Sequence, residues 1–176
     1  MVYLDENISA LVEEYGDELY GYVYHMVRDE EDAQDIIQEV FIKILKVKSL
    51  ENIKNIKCYL YKLTYNFTVD FLRRKNRFKF IKMTFEGEAV SAEQEYLKRN
   101  VNPHIQKALN TLNYEERTIF LLRTLEEMDY ASMSEILDLK EATVRKKYER
   151  ARKKLKVFLE RKKESEVHEY EGHRIF

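Results

Sequence analysis

Tyr59, Lys62, Asn66, Asp70, Arg73 and Arg77 recur at steps of three and four residues, which places them in one stripe of a helix. An aromatic ring opens the stripe, an amide and a carboxylate fill its middle, and arginines close it, with Arg74 and Lys75 adding charge at the same end. Cations of this kind neutralise phosphates. Rings and amides hold bases that have left a duplex, by stacking and by hydrogen bonds to their edges. Strand separation costs about 1.4 kcal/mol per base-pair step in stacking, so a surface that captures melted DNA must supply such contacts. Cations at a helix C-terminus also suit the helix dipole with no ligand involved, and the stripe alone leaves both readings standing.

A second set lies further on. Val144, Tyr148, Ala151 and Leu155, at steps of four, three and four, point to a core. The opposite face shows Ala142, Lys146, Glu149 and Lys153, flanked by Arg145 and Arg150, with Lys140 and Thr143 at its start. The small Ala142 lets the helix N-terminus approach base edges. Arg145 and Lys146 reach guanine acceptors and Glu149 accepts from cytosine, each good bidentate pair giving about 1–3 kcal/mol of discrimination. Tyr130, Met133, Ile136 and Leu137 give a short preceding helix its apolar side, and Asp138 and Leu139 form the turn, the pattern of a DNA-reading helix pair. A basic surface helix of a bundle is the plainer alternative. A third set, Asp35, Gln38, Glu39, Ile42 and Leu45, lies opposite the apolar stripe Ala33, Ile36, Ile37, Val40 and Ile44. Two apolar residues among acids on an outward face suit docking to a partner, and equally suit packing inside the same domain.

These sets must be carried by helices. In 176 residues there are 4 glycines and 1 proline, too few breakers for a sheet rich in tight turns. Periodicity predicts helices over 5–27, 30–46 and 56–77, then a block opened by Pro103, in which Ile105, Leu109 and Leu112 face inward and Ile119, Phe120, Leu122 and Leu125 follow. Short helices over 130–137 and 141–156 end it, and a charged tail from Arg161 is expected to fray. Asp29 and Asn113 are the predicted caps. Ile8, Leu11, Val12, Tyr15, Leu19, Tyr22, Val23 and Met26 form the first buried stripe; Ile56, Leu60, Leu63, Phe67 and Phe71 form that of the third helix. The expectation is an all-α chain of two small helical domains: residues 5–78, a helical bundle, and 102–158, a helix-turn-helix domain. A flexible linker over 79–101 joins them and a tail covers 159–176.

The net charge of −1 conceals a strong partition. Residues 1–41 hold 12 acids and 1 base, net −11; residues 42–84 hold 2 acids and 12 bases, net +10. Residues 140–163 hold 3 acids and 12 bases, net +9. Two separate basic surfaces point to two contacts with a polyanion. No apolar run approaches the ~18 residues of a membrane span, and no signal-peptide pattern opens the chain. The single cysteine, Cys58, cannot form an internal disulfide and suits an intracellular chain. An enzyme is disfavoured: there is no Gly-rich phosphate loop, His25, His104, His168 and His173 are scattered, and Cys58 has no base partner, although Lys57 beside it would lower its pKa. No cofactor or metal ligand set is expected.

The run Asp32-Ala33-Gln34-Asp35-Ile36-Ile37-Gln38-Glu39-Val40-Phe41 resembles the core-polymerase-binding helix of bacterial extracytoplasmic-function (ECF) sigma factors, members of the sigma-70 family. Tyr59-Leu60, Asn66, Asp70 and Arg73-Arg74 resemble their minus-10 helix. Arg117, Tyr130, Glu135, Ile136, Leu137, Thr143, Val144, Arg145, Arg150, Ala151 and Arg152 resemble their minus-35 module. The resemblance covers about residues 7–77 and 103–156, in order. It implies a cytoplasmic, non-enzymatic transcription initiation factor that binds the largest and second-largest subunits of core RNA polymerase and promoter DNA, with no small-molecule substrate. Asp32, Asp35, Gln38, Glu39 and Ile42 would dock on polymerase. Tyr59, Lys62, Asn66, Asp70, Arg73, Arg74 and Arg77 would hold the minus-10 element, and Lys140, Ala142, Thr143, Arg145, Lys146, Glu149 and Arg150 the minus-35 element. The loop at 47–55 would help hold a flipped base, Glu86, Glu88, Glu93 and Glu95 would sit near basic channels of the polymerase, and an anti-sigma factor, often membrane-anchored in this family, would hold the protein inactive. Tyr59 stands where the family has Trp, Asn113 where Pro is common, Glu127 and Asp138 where Gly is common, and Ser132 where Glu is. Lys146 replaces a small polar residue and Tyr148 an aliphatic one. A helix-turn-helix regulator acting without replacing the polymerase's sigma subunit is the alternative; it would bind duplex DNA but melt none.

Overall fold

The computed structural model describes residues 2–47, 50, 53–86 and 103–172, with side chains placed between 8 and 78 and between 105 and 161, Gln106 excepted. Among these residues there are seven helices and no strand: α1 (Val2–Val27), α2 (Glu30–Leu45), α3 (Ile56–Glu86), α4 (Pro103–Leu109), α5 (Tyr114–Thr124), α6 (Tyr130–Leu137) and α7 (Glu141–Gly172).

Local chemistry sets the breaks. α1 stops where Arg28 turns left-handed, at φ 65°. Asp29 then caps α2, its carboxylate accepting from the Asp32 amide at 2.9 Å, and three acids in the first turn suit the positive end of the dipole. Asn55 accepts from the Cys58 amide at the start of α3 (3.0 Å). Pro103 occupies the first position of α4, where its missing N–H costs no bond. Asn113 and Glu116 form a full capping box on α5, with Asn113 accepting from the Glu116 amide at 2.9 Å and Glu116 from the Asn113 amide at 3.2 Å. Asp129 caps α6 through the Ser132 amide at 2.7 Å. Asp138 closes α6 left-handed at φ 54° and ψ 45°, a conformation that its short polar side chain tolerates.

Two helices outrun the prediction. α3 continues past its predicted end at 77 through residue 86, with 79–86 taken from the expected linker, and α7 continues to Gly172 where a frayed tail was expected. Residues 87–102 lie outside the described part of the chain, as do residues 48, 49, 51 and 52 of the expected base-holding loop.

α1, α2 and α3 pack on Leu19, Val23, Ala33, Ile36, Val40, Ile44 and Leu60. α4, α5, α6 and α7 pack on Leu109, Leu112, Ile119, Leu122, Met133, Ile136, Val144 and Ala151. The two groups also pack on each other, α3 against α6 and α1 against α5. The expected stripe of α3 is therefore only half right. Leu60 is fully buried, but Ile56, Leu63, Phe67 and Phe71 are half-buried, while Cys58, Tyr61, Thr64, Thr68 and Leu72 are buried on a second face. α3 lies between its own domain and the other, so one apolar stripe cannot describe it. Val12 and Ile105 are assigned inward by periodicity and are exposed.

The seam between the groups joins a continuous apolar core and also carries buried polar contacts. Arg117, 7% exposed, donates to the carbonyl of Leu109 at 3.1 Å, of Leu112 at 3.4 Å and, across the seam, of Met26 at 3.2 Å. The Tyr22 and Thr118 hydroxyls are 3.0 Å apart, and the Tyr22 ring meets that of Tyr61 edge-on at 5.8 Å. Lys57 lies 2.8 Å from Glu18 and 3.6 Å from Glu126, and Asn76 donates to the Tyr114 hydroxyl.

Candidate nucleic-acid and polymerase interface

On α2 the residues assigned to docking are mostly open: Asp35, Gln38, Glu39, Ile42 and Leu45 are exposed, the last two at 48% and 47%. Ala33, Ile36, Val40 and Ile44 hold the helix down from the other side. Asp32 differs from its neighbours. Its carboxylate accepts from Lys75 Nζ at 2.6 Å and ties the start of α2 to α3.

Beside this face the basic end of α3 stands in solvent. Asn66, Asp70, Arg73, Arg74 and Arg77 are exposed, while Tyr59 and Lys62 are half-buried. A cleft of about 550 Å³ is lined by Glu39, Asn66, Phe67, Asp70, Arg73, Arg74 and Arg77. An adjoining cleft of about 400 Å³ is lined by Asp35, Ile36, Glu39, Phe71, Arg74, Lys75 and Phe78. Glu39 and Arg74 belong to both, so the acidic face of α2 and the cationic face of α3 are continuous. Phe67 and Phe71, assigned to the core, line these clefts, and Phe78, 72% exposed, was not singled out at all. Their steps of four and seven residues are the signal that could have found them, since an aromatic series continuing past the domain's core has nothing left to cover.

The third surface is the start of α7. Lys140, Ala142, Arg145, Lys146, Glu149 and Arg150 are exposed and Thr143 is half-buried. Arg145 Nη2 donates to Glu141 at 2.9 Å, and Glu149 pairs with Arg152 at 3.4 Å. Among the described residues Lys146 makes no ion pair. Behind the row lies an aromatic ladder that periodicity assigned to the core: Phe120 stacks on Tyr148 at 6.4 Å, and Tyr148 meets Tyr130 edge-on at 6.1 Å. The Tyr130 ring also carries the guanidiniums of Arg145 at 4.8 Å and Arg123 at 5.2 Å.

Cys58 is a free, buried thiol. Burial pushes the Cys58 thiol up; Lys57 lowers it as expected, and Ser132 lowers it too, but burial outweighs both. Among the described residues no cluster of His, Cys, Asp and Glu is suited to a metal ion, and the side chains of His104, His168 and His173 lie outside those described. The side chains of Glu86, Glu88, Glu93 and Glu95 also lie outside them.

The sigma-70 region 2 family model matches residues 11–78, and the sigma-70 region 4 model matches residues 104–155. The chain belongs to the sigma-70 family. It is 28% identical over 158 residues to the ECF RNA polymerase sigma factor SigE of Mycolicibacterium smegmatis, across 86% of this chain and 61% of that one. It is 26% identical over 158 residues to the RNA polymerase sigma factor SigV of Bacillus subtilis, across 86% of this chain and 90% of that one. The fold matches that of the sigma factor RpoE of Bartonella quintana, solved with the anti-sigma factor NepR, at a TM-score of 0.71 and 20% identity, covering 88% of this chain and 98% of that one. The chain is thus an RNA polymerase sigma factor of the ECF type. In this sigma factor α1, α2 and α3 carry region 2, and α4, α5, α6 and α7 carry region 4.

Proposed function

We propose that three exposed surfaces divide the work of initiation. The α2 face, Asp35, Gln38, Glu39 and Ile42 with Asp32 at its edge, docks on core RNA polymerase, on its largest and second-largest subunits. The α3 stripe, Tyr59, Lys62, Asn66, Asp70, Arg73, Arg74 and Arg77, holds the minus-10 element as it melts. The start of α7, Lys140, Ala142, Thr143, Arg145, Lys146, Glu149 and Arg150, reads the minus-35 element in the major groove. The observation that carries this reading is the exposure of most of each surface, Asp32, Tyr59, Lys62 and Thr143 being half-buried, on a helix anchored from behind by buried apolar residues. The chemistry is binding and strand capture, with no reaction of its own, no small-molecule substrate and no cofactor, and its place is the cytoplasm, where polymerase and promoter are. A regulator that leaves the polymerase's own sigma subunit in place is not favoured, because both sigma-70 regions are present in order. An anti-sigma factor is the proposed inhibitor, as the fold neighbour is a sigma factor in complex with one.

The test separates the surfaces. Arg145→Ala with Lys146→Ala is expected to lower binding to promoter duplex at least ten-fold, from losing two base contacts of about 1–3 kcal/mol each, and to leave capture of core polymerase intact. Asp35→Ala with Glu39→Ala is expected to do the reverse. Pull-down with core enzyme and footprinting on one promoter fragment read both; if either pair impairs both partners alike, the division is wrong.

A further inference from the structure

Recognition of a base by arginine depends on where the guanidinium is held before the duplex arrives. Free in solvent, that side chain carries ~2 kcal/mol of rotamer entropy, part of which is lost when its planar fork is aligned with a base. Here Arg145 is not free. Its guanidinium carbon lies 4.8 Å from the centroid of the Tyr130 ring, on the preceding helix. That ring is fixed in turn. Tyr148 meets it edge-on at 6.1 Å, and Arg123 lies 5.2 Å from the same centroid while donating to the Met128 carbonyl at 2.7 Å.

We propose that Tyr130 is a positioning residue for minus-35 specificity, a platform that aims the Arg145 guanidinium at base edges. This rests on the reading above, in which Arg145 meets bases. Two groups hold Arg145, and they differ in what they leave available. Glu141, at 2.9 Å, takes N–H donors, the same donors that guanine O6 and N7 require. The ring draws on the positive charge through its π face. It can therefore go on holding the guanidinium while the donors pass from carboxylate to base. Tyr130 links three helices through this ring, Arg123 on α5, its own α6, and Arg145 and Tyr148 on α7, so the aim of Arg145 is tied to the geometry of the whole reading head.

The full chain with core polymerase is used to select duplexes from a pool randomised across the minus-35 element, and the ratio of binding to selected over scrambled duplexes is measured. Tyr130→Phe, which keeps the ring, retains the ratio. Tyr130→Leu lowers it about two- to five-fold, the range for losing an exposed cation–π contact, with capture of polymerase unchanged. In an Arg145→Ala background Tyr130→Leu lowers it no further, because the two act through one contact. In the unmutated free chain the Arg145 Nε–H resonance carries an upfield ring-current shift, a sign that does not depend on how any variant folds. A ratio unmoved by Tyr130→Leu, an equal loss in the Arg145→Ala background, an equal loss in Tyr130→Phe, or no ring-current shift overturns the proposal. If Arg145→Ala itself leaves the ratio unchanged, Arg145 reads no base and the underlying assignment falls with it.

Discussion

Arg117 and Glu116 are adjacent in α5 and almost fully buried, an unusual place for two opposite charges, and each is stabilised by a different means. Burial lowers the Arg117 pKa, but an arginine guanidinium keeps its proton in a protein interior. Its donors reach the carbonyls of Met26 near the end of α1, of Leu112 in the turn after α4, and of Leu109, which also accepts from the Leu112 amide. Arg117→Met keeps the apolar stem and removes those donors. It is expected to cost about 2–3 kcal/mol in urea unfolding, the range for leaving buried acceptors unpaired. For Glu116, burial would raise the carboxyl, but the Lys154 ammonium at 2.6 Å and the Asn113 amide outweigh it and hold the group below its ordinary 4.5. A carboxyl depressed in the fold adds stability above its unfolded value, and that stability is lost as pH falls through the lower folded one. Unfolding midpoints measured from pH 7 down to about pH 2.5 should show this acid limb, and Glu116→Gln should flatten it. Resemblance pointed to Arg117 as part of the minus-35 module. Its burial under α1 was not legible, because an isolated arginine in a helix reads as a surface charge until its neighbours are known.

Element ends were the most legible part of this chain, because caps are local chemistry. Asp29 and Asn113 cap the helices predicted for them, and Asp138 takes the left-handed turn between α6 and α7. That turn supports a prediction: Asp138→Gly relieves a strained conformation and should raise the thermal midpoint slightly, whereas Asp138→Val should cost about 1–2 kcal/mol, since a branched residue fits the left-handed region badly. Calorimetry on the two variants reads the sign directly. The exposed stripes of α3 and α7 were equally legible, since charge sorted along a helix marks a face that no core can take. The second buried face of α3 was not. Tyr61, Thr64 and Thr68 are polar by type, and Thr68 meets its need within the helix by donating to the Thr64 carbonyl at 2.7 Å. A periodicity search counts such residues as outward. They are buried here because helices distant in sequence cover them, and that covering is set by tertiary packing and not by spacing along α3. The lengths of α3 and α7 escaped for a related reason: charged residues of good helix propensity continue a helix without announcing it through an apolar stripe.

The packing of region 2 on region 4 sets a limit on the molecule as a whole. Promoter elements named for positions −10 and −35 are about 25 base pairs apart, which at ~3.4 Å per pair is about 85 Å of duplex. A compact chain of 176 residues has a radius of gyration of about 16 Å, and its 32-residue helix α7 is about 48 Å long, well short of that distance. If both elements are held at once as proposed, the packed arrangement is too short, and the seam between α1, α3, α5 and α6 is expected to part on the promoter. Its chemistry suits that step. Arg117, Tyr22, Thr118, Lys57, Glu18, Glu126, Asn76 and Tyr114 can pair with water when it opens, which offsets part of the cost of also exposing apolar residues such as Cys58 and Tyr61. The fraction of chain already open scales the apparent affinity for any partner that needs the open form. Lys57 reports the change, because its ammonium lies 2.8 Å from Glu18 in its own region and 3.6 Å from Glu126 across the seam. Treated with a carbodiimide, which joins amine to carboxylate at contact distance, the free chain should yield both Lys57–Glu18 and Lys57–Glu126 peptides by mass spectrometry. Bound to core polymerase on a promoter, it should keep the first and lose the second. Recovery of the Lys57–Glu126 link at full yield from that complex would mean that the two regions stay together on DNA and that a single compact body contacts only one promoter element at a time.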